Sequence, residues 1–241
     1  MSDNTFDPGD VDFEQVYRGE AELGGGATLP WDIGRPQPVV VAAVDTGGVH
    51  GDVLDIGSGL GDNSIFLASR GFTVTGVDGS PTALEKARAR AQEAGVAVDF
   101  QAGDATRLDG LEGRFDTVID SALYHCLTPE QRFEYVAAIH RATRPGARLH
   151  IFCFSDRIPA ELPGPFRISQ DNLRETVGPK WTIDSIEADH YDSSATIEDF
   201  ISQARRFGQE VAVPPEAAKM IEVDDEGHAR MPIWHLTGTR A

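Results

Sequence analysis

The segment Asp52–Ala68 (DVLDIGSGLGDNSIFLA) restricts the fold more than any other stretch of the chain. Asp52–Ile56 is a short aliphatic run of strand type, and it ends in three glycines at alternate positions, Gly57, Gly59 and Gly61. Glycine is needed where the backbone turns through positive φ or lies directly against a ligand, because any Cβ would collide. Asp62 then opens a helical pattern with Ile65, Phe66 and Ser69 on one side. Strand, glycine turn and helix in this order form the first half of a βαβ unit. In an open sheet of such units the turn lies at the carboxyl ends of the strands, where ligands bind.

The chain then keeps alternating strand-type and helix-type patterns, which predicts an α/β fold with a doubly wound, mostly parallel sheet. Further strands are predicted at Thr73–Asp78, Ala97–Gln101, Phe115–Ser121 and Ala147–Phe154. Ser80-Pro81 is an N-cap followed by proline at the first helical position, ahead of a stripe of Leu84, Ala87 and Ala91. Thr128-Pro129-Glu130-Gln131 adds a capping-box glutamine and leads into Phe133, Val136, Ala137 and His140. Beyond Phe154, a proline-rich turn over Pro159–Phe166 precedes a short helix capped by Ser169. A strand near Trp181–Tyr191 and a last strand at Met231–Thr239 follow. The span Ala195–Gly227 is longer than a hairpin loop requires and carries a helical stretch at Ile197–Phe207. It is expected to be a surface insertion that covers the pocket. The expected organisation is one domain over 1–241: an N-terminal arm or lid (1–38), a binding core (39–155) and substrate-side elements (156–241).

With 241 residues, 40% of them hydrophobic, the chain can bury one sizeable core. The formal net charge of −18 argues against nucleic acid and anionic membranes as partners. The start, MSDNTFDPGD, lacks the apolar region of a signal peptide, and no apolar run approaches the ~20 residues of a bilayer span. Cys126 and Cys153 have no metal-ligand spacing, and no other set of His, Cys and acidic residues does. The expectation is therefore a cytoplasmic protein with two free thiols and no metal.

A dinucleotide fingerprint, Gly-x-Gly-x-x-Gly, would need its third glycine at position 62, which is Asp62. A carboxylate at a helix N-terminus repels the pyrophosphate that would sit there, and a cofactor without phosphate suits the loop better. Asp78 ends the second strand, where an acid can accept from ribose hydroxyls. Gly103-Asp104-Ala105 follows the third strand, placed to accept from an adenine amino group, and Asp120 ends the fourth. Each acid alone is more often a turn residue or a helix cap. Four at successive strand ends around one glycine loop make a site.

This order of motifs resembles the class I S-adenosylmethionine-dependent methyltransferases over roughly Gly51–Phe154. The resemblance implies a Rossmann-like, seven-stranded sheet with an antiparallel last strand. It implies that Asp55, Gly57 and Gly59 flank the methionine part of S-adenosylmethionine, with Ser58, Asn63 and Asp120 nearby. Asp78, with Gly79 and Ser80, would hold the ribose, and Asp104 with Ala105 the adenine. Leu29–Pro36 (LPWDIGRP) is close to the Thr-Pro-Trp-Asp-Leu-Gly-Arg motif of the thiopurine, thiol and halide methyltransferases, whose tryptophan, here Trp31, packs over the cofactor. Pro163–Ile168 sits where that group has Gly-Pro-Pro and an aromatic residue. The run Asp120–Cys126 is similar to actinobacterial methyltransferases of heterocyclic or quinone-like toxins. Gly24-Gly25-Gly26 departs from the aromatic-rich segments of plant members, so halide is a less fitting acceptor.

Methyl transfer is an in-line displacement in which positioning supplies most of the catalysis. His125 is the candidate general base or hydrogen-bonding group, against the alternative of a structural histidine, and Tyr124 the candidate pocket wall. Cys126 reads as a small hydrophobe, and His140, His150 and His235 as structural. Arg35 and Arg167 apart, no Lys/Arg cluster stands at the strand ends, so a neutral planar acceptor is expected. The rival readings are a nicotinamide-dependent oxidoreductase, an aminopropyl transferase, and a protein that binds S-adenosylmethionine without catalysis.

Overall fold

The computed structural model describes residues 11–20, 29–162, 166–206 and 213–241. Gly24–Gly26, Pro163–Pro165 and the middle of the expected insertion lie outside the described residues.

The glycine loop leaves β1 (Asp52–Ile56), and β2 (Thr73–Asp78), β3 (Asp99–Ala102) and β4 (Phe115–Ser121) lie parallel to it. The register sets their ends level. Ile56 pairs with Val77 and with Asp120, and Asp78 pairs with Ala102, so the loops after these strands open on one edge. β5 (Thr143–Phe154) continues the parallel set beside β4. β8 (Ala229–Thr239) runs antiparallel between β5 and β6 (Thr182–Asp192). The order is β3-β2-β1-β4-β5-β8-β6, which turns around between β1 and β4. A ligand crevice belongs at that switch point. Among the described residues the expected seven strands are this path, and a two-residue strand, β7 (Glu222–Val223), adds an eighth on β8.

The helices begin where their caps predict. Ser80 Oγ accepts from Ala83 N–H (3.0 Å) ahead of α4 (Pro81–Glu93). Thr128 and Gln131 form both halves of a capping box at α5 (Pro129–Ala142). Ser169 Oγ accepts from Asn172 N–H at α6 (Gln170–Val177). α3 (Asp62–Ser69) differs: its cap is Gly61 at φ +86°, with no side-chain acceptor, which leaves its first N–H groups directed toward the strand ends. α7 (Ile197–Arg206) matches the expected helix of the insertion, and α8 (Pro215–Ala218) is one turn.

Among the described residues two helices precede the sheet: α1 (Phe13–Arg18) and α2 (Pro38–Asp45). The run Val39–Val41 has the β-branched composition of a strand, yet it forms a helix. Pro38 starts it at the first helical position, and Val39, Val40 and Ala43 bury against Val53, Val74 and Phe152. Tertiary burial thus overrides propensity. His150 and His235 are structural as expected. His150 Nε2 pairs with the Gly48 carbonyl (3.0 Å), which leaves Nδ1 to accept from His235 Nε2 (3.0 Å). Among the described residues no helix is long and apolar enough to cross a membrane.

Candidate active site

The level strand ends surround a cavity of about 790 Å³. One side is the glycine loop. Gly57 and Ser58 N–H both donate to the Val77 carbonyl (2.8 and 3.0 Å), which folds the loop back over β2. A Cβ at Gly57 would lie 2.9 Å from the Leu123 side chain, and one at Gly59 would lie 2.8 Å from the Tyr17 hydroxyl. The loop is therefore as bare as the site requires. Ser58 Oγ is buried against the cavity without a hydrogen-bond partner, an orphaned group that a bound ligand would satisfy.

Asp78 lies at the cavity wall, where one carboxylate oxygen accepts from Gly59 N–H and the other from Ser80 N–H, each at 2.8 Å. Burial pushes its pKa above the ordinary carboxylate value while these amides pull it back. Asp104 is exposed at the rim; its Oδ1 accepts from the Thr106 N–H and hydroxyl (2.8 and 2.7 Å), which turns Asp104 and Ala105 toward the cavity mouth. Ser80 and Gly79 border the cavity too. The Ser80 hydroxyl is already engaged, since it caps α4 and donates to Glu14. Asn63 uses its side-chain oxygen to accept from Gln37 N–H (3.0 Å), fixing the start of α2.

The N-terminal arm forms the roof. Glu14 on α1 accepts from the Ser80 and Thr82 hydroxyls, and those bonds hold its carboxyl down to about 2. Lys86 Nζ donates to the Tyr17 carbonyl (2.6 Å). Trp31 is half-buried at the cavity wall, edge-on to Phe13 and Tyr17, and its indole N–H donates to the Tyr17 hydroxyl (3.1 Å). Arg90 joins the arm to the core by pairing with Asp32 (2.8 Å) and Asp62 (3.0 Å). That pairing revises the sequence argument. The Asp62 carboxylate is not a bare charge, so its repulsion alone does not exclude a phosphate. Phe13, Glu14 and Tyr17 escaped the sequence reading, although the four-residue spacing of Phe13 and Tyr17 puts both on one helix face.

The other side of the cavity is aromatic and apolar: Phe154 from the end of β5, Tyr191 from β6, Phe200 from α7 and Met231 from β8. The Tyr191 and Ser121 hydroxyls are hydrogen-bonded at 3.0 Å. Ala122, directly after β4, has φ +79°, a strained value for a residue with a Cβ, and borders the cavity.

Three candidate residues do not border this cavity. Asp55 is buried beneath the loop, where its carboxylate accepts from Ser64 Oγ (2.5 Å) and burial pushes its pKa up to about 6. Asp120 is equally enclosed. It accepts from the Tyr135 hydroxyl (2.6 Å) and from Leu123 and Tyr124 N–H, and burial pushes it up to about 7. Tyr124 points into the core, its hydroxyl bonded to Thr176 and Asn172, so it is no pocket wall. In each case an interior donor or acceptor captures a polar group that the strand-end position alone would direct outward.

The sequence profile of the methyltransferase-domain family matches residues 53–146. A 2-heptyl-1-hydroxyquinolin-4(1H)-one methyltransferase from Mycobacteroides abscessus is 42% identical over 176 residues, 72% of this chain and 78% of the relative. The chain belongs to the class I S-adenosylmethionine-dependent methyltransferases. A structure solved in work on the conversion of a disulfide bond into a thioacetal group during echinomycin biosynthesis is 35% identical. It superposes with a TM-score of 0.76 over 95% of this chain and 90% of that one. A 1,6-didemethyltoxoflavin-N1-methyltransferase from Burkholderia thailandensis shares the fold, with a TM-score of 0.57 at 23% identity over 85% of this chain and 77% of that one.

For this methyltransferase, bound S-adenosylmethionine supplies a methyl carbon made electrophilic by its sulfonium. The bare glycine loop, the unpartnered Ser58 hydroxyl and the Asp78 carboxylate fit that cofactor. His125 stands at the cavity wall, where its ring stacks on Phe154 (4.2 Å between centroids, 17°). Its Nδ1 accepts from Phe154 N–H at 3.0 Å, so the proton of the neutral ring sits on Nε2. Burial, with a smaller contribution from the Arg132 charge, pushes its pKa down to about 3. A buried ring whose lone pair is already engaged makes a poor proton acceptor and presents its Nε2–H as a hydrogen-bond donor.

Proposed function

We propose that the enzyme methylates a planar, aromatic or quinone-like small molecule through a hydroxyl, N-hydroxyl or thiol, with His125 donating a hydrogen bond to the reacting atom. The observation that carries this reading is the division of the cavity. A bare, polar glycine loop faces an aromatic wall of Phe154, Tyr191 and Phe200, and His125 stands on that wall. The relative from Mycobacteroides abscessus, whose name gives an N-hydroxyquinolone acceptor, supports the choice. The acceptor enters as a neutral molecule between the arm and the described part of the 195–227 segment, which border the cavity through Trp31 and Phe200 as parts of one domain. Asp78 and the Asp104–Ala105 turn hold the adenosine part of the cofactor, and Trp31 covers it. The net charge of −18 supports a small molecule over nucleic acid as partner, and the two free cysteines support a cytoplasmic setting.

The test is a screen of thiols, phenols, N-hydroxyquinolones and iodide with S-adenosylmethionine, read by mass spectrometry of methylated product and S-adenosylhomocysteine. Turnover is expected with the planar hydroxyl, N-hydroxyl or thiol compounds. Turnover with iodide alone would overturn the acceptor reading.

A further inference from the structure

Arg132 on α5 is 5% exposed, and its guanidinium lies between the rings of Tyr124 and Phe166, 5.5 and 5.1 Å from their centroids. Its Nε and Nη2 have no hydrogen-bond partner, and among the described residues it has no carboxylate within ion-pair distance. This is unusual in so acidic a chain, where arginines such as Arg35, Arg90 and Arg144 do find carboxylates. A buried charge without its counter-ion is destabilising, and its retention calls for a ligand or a field that uses it. Arg132 sits behind the turn that carries His125: its guanidinium packs on the ring of Tyr124, the residue before His125, and its neighbour Gln131 on α5 borders the cavity, while the charge itself lowers the pKa of His125.

The other titratable groups around this turn do not cancel that charge. On β4, Asp120 is enclosed by the Tyr135 hydroxyl and two amides, and burial keeps its proton on up to about pH 7. Burial keeps Cys126 on this turn, Cys153 on β5 and Tyr191 on β6 protonated. Glu130 on α5 is exposed to solvent. The acceptor end of the cavity thus combines the His125 Nε2–H with the unbalanced Arg132 charge behind it.

We propose that the acceptor's reacting atom is bound and methylated as an anion, held by the His125 Nε2–H and stabilised by the unpaired Arg132 guanidinium. This rests on the ionisable acceptor argued above, and it departs from the neutral reacting species that the sequence implied. The acceptor enters neutral and releases its proton to solvent on binding. The bond from its anionic atom to the methyl carbon then forms as the carbon–sulfur bond breaks, with sulfur keeping the electron pair. The negative charge of the acceptor and the positive charge of the sulfonium cancel, so no side chain has to take up a proton. Arg132 is a positioning residue in this scheme; it acts on the acceptor through space and through His125.

The experiment is an absorbance titration of 1-hydroxyquinolin-4(1H)-one across pH, free and bound to the full-length protein saturated with S-adenosylhomocysteine. The expected result is a bound pKa lower than the free value by about one unit or more, a preference for the anion of about tenfold or more. Arg132→Met should reduce that shift with S-adenosylhomocysteine affinity unchanged, and Arg132→Lys should keep part of it. A bound pKa equal to or above the free value in the wild type overturns the proposal without any variant, and so does an undiminished shift in a folded Arg132→Met protein. Absence of binding at every pH instead overturns the acceptor class, and this proposal with it.

Discussion

Replacing Gly59 by alanine isolates the contact between the arm and the glycine loop. The position has φ +50°, and an alanine there costs about 1 kcal/mol in backbone strain. The new Cβ would lie 2.8 Å from the Tyr17 hydroxyl, inside any tolerable contact, so that hydroxyl must move. Tyr17 is buried and its oxygen accepts from the Trp31 indole, so moving it breaks a hydrogen bond worth about 1 kcal/mol. The total of about 2 kcal/mol corresponds to a fall in Tm of roughly 4–8 °C for a chain of this size. In a Tyr17→Phe background the clash disappears, because the next atom is the ring Cζ at 3.8 Å. Gly59→Ala should then cost about 1 kcal/mol, or roughly 2–4 °C. The assay is differential scanning calorimetry of the four ligand-free proteins of the double-mutant cycle. Equal losses in both backgrounds would show that the arm does not pack against the loop as described.

Four further outcomes follow from the same geometry. Asp78→Asn keeps the size of the side chain but removes its charge, and should weaken S-adenosylhomocysteine binding by about 10- to 100-fold in calorimetry, the loss of a charge-assisted hydrogen bond. His125→Asn offers Phe154 N–H an oxygen acceptor but cannot reach the acceptor atom; kcat should fall with cofactor affinity retained, and an unchanged kcat would remove His125 from the reaction. The same variant bears on acid stability. His125 and His235 titrate near 3 in the fold against 6.5 for an ordinary histidine, so the unfolded chain binds more protons between those values and stability falls as pH drops from about 6.5. Buried Asp55 and Asp120, with raised values near 6 and 7, act oppositely over that range. The Tm of His125→Asn should therefore decline less than that of the wild type from pH 6.5 to pH 4. Finally, Arg90→Met leaves Asp32 and Asp62 facing each other, and stopped-flow release of S-adenosylhomocysteine should quicken several-fold with little change in Tm, since these pairs are partly exposed.

The parts of the molecule legible in the sequence are those set by short-range rules. β1, β2 and β4 run as their aliphatic patterns predict, and Ser80, Thr128 and Ser169 cap the helices that they precede. Asp78 and Asp104 border the cavity because the end of a strand in a doubly wound sheet opens on the ligand crevice. Asp55 and Asp120 share that pattern and do something else, because Ser64 and Tyr135 arrive from other elements and no local signal announces them. Tyr124 was misread for the same reason, its partners Asn172 and Thr176 lying on α6. Arg132 follows Glu130 and Gln131 in what reads as a solvated helix face. It is buried by Tyr124 and Phe166, the latter more than thirty residues further along the chain.

The roles of Asp78 and His125 are tested together by a crystal structure of the protein with S-adenosylhomocysteine and 1-hydroxyquinolin-4(1H)-one in one cavity. Ribose hydroxyls are expected on Asp78 and the reacting oxygen about 3 Å from His125 Nε2. A structure in which the nucleoside lies away from the glycine loop, or in which the reacting oxygen turns to Tyr191 and leaves His125 without a partner, would contradict these roles.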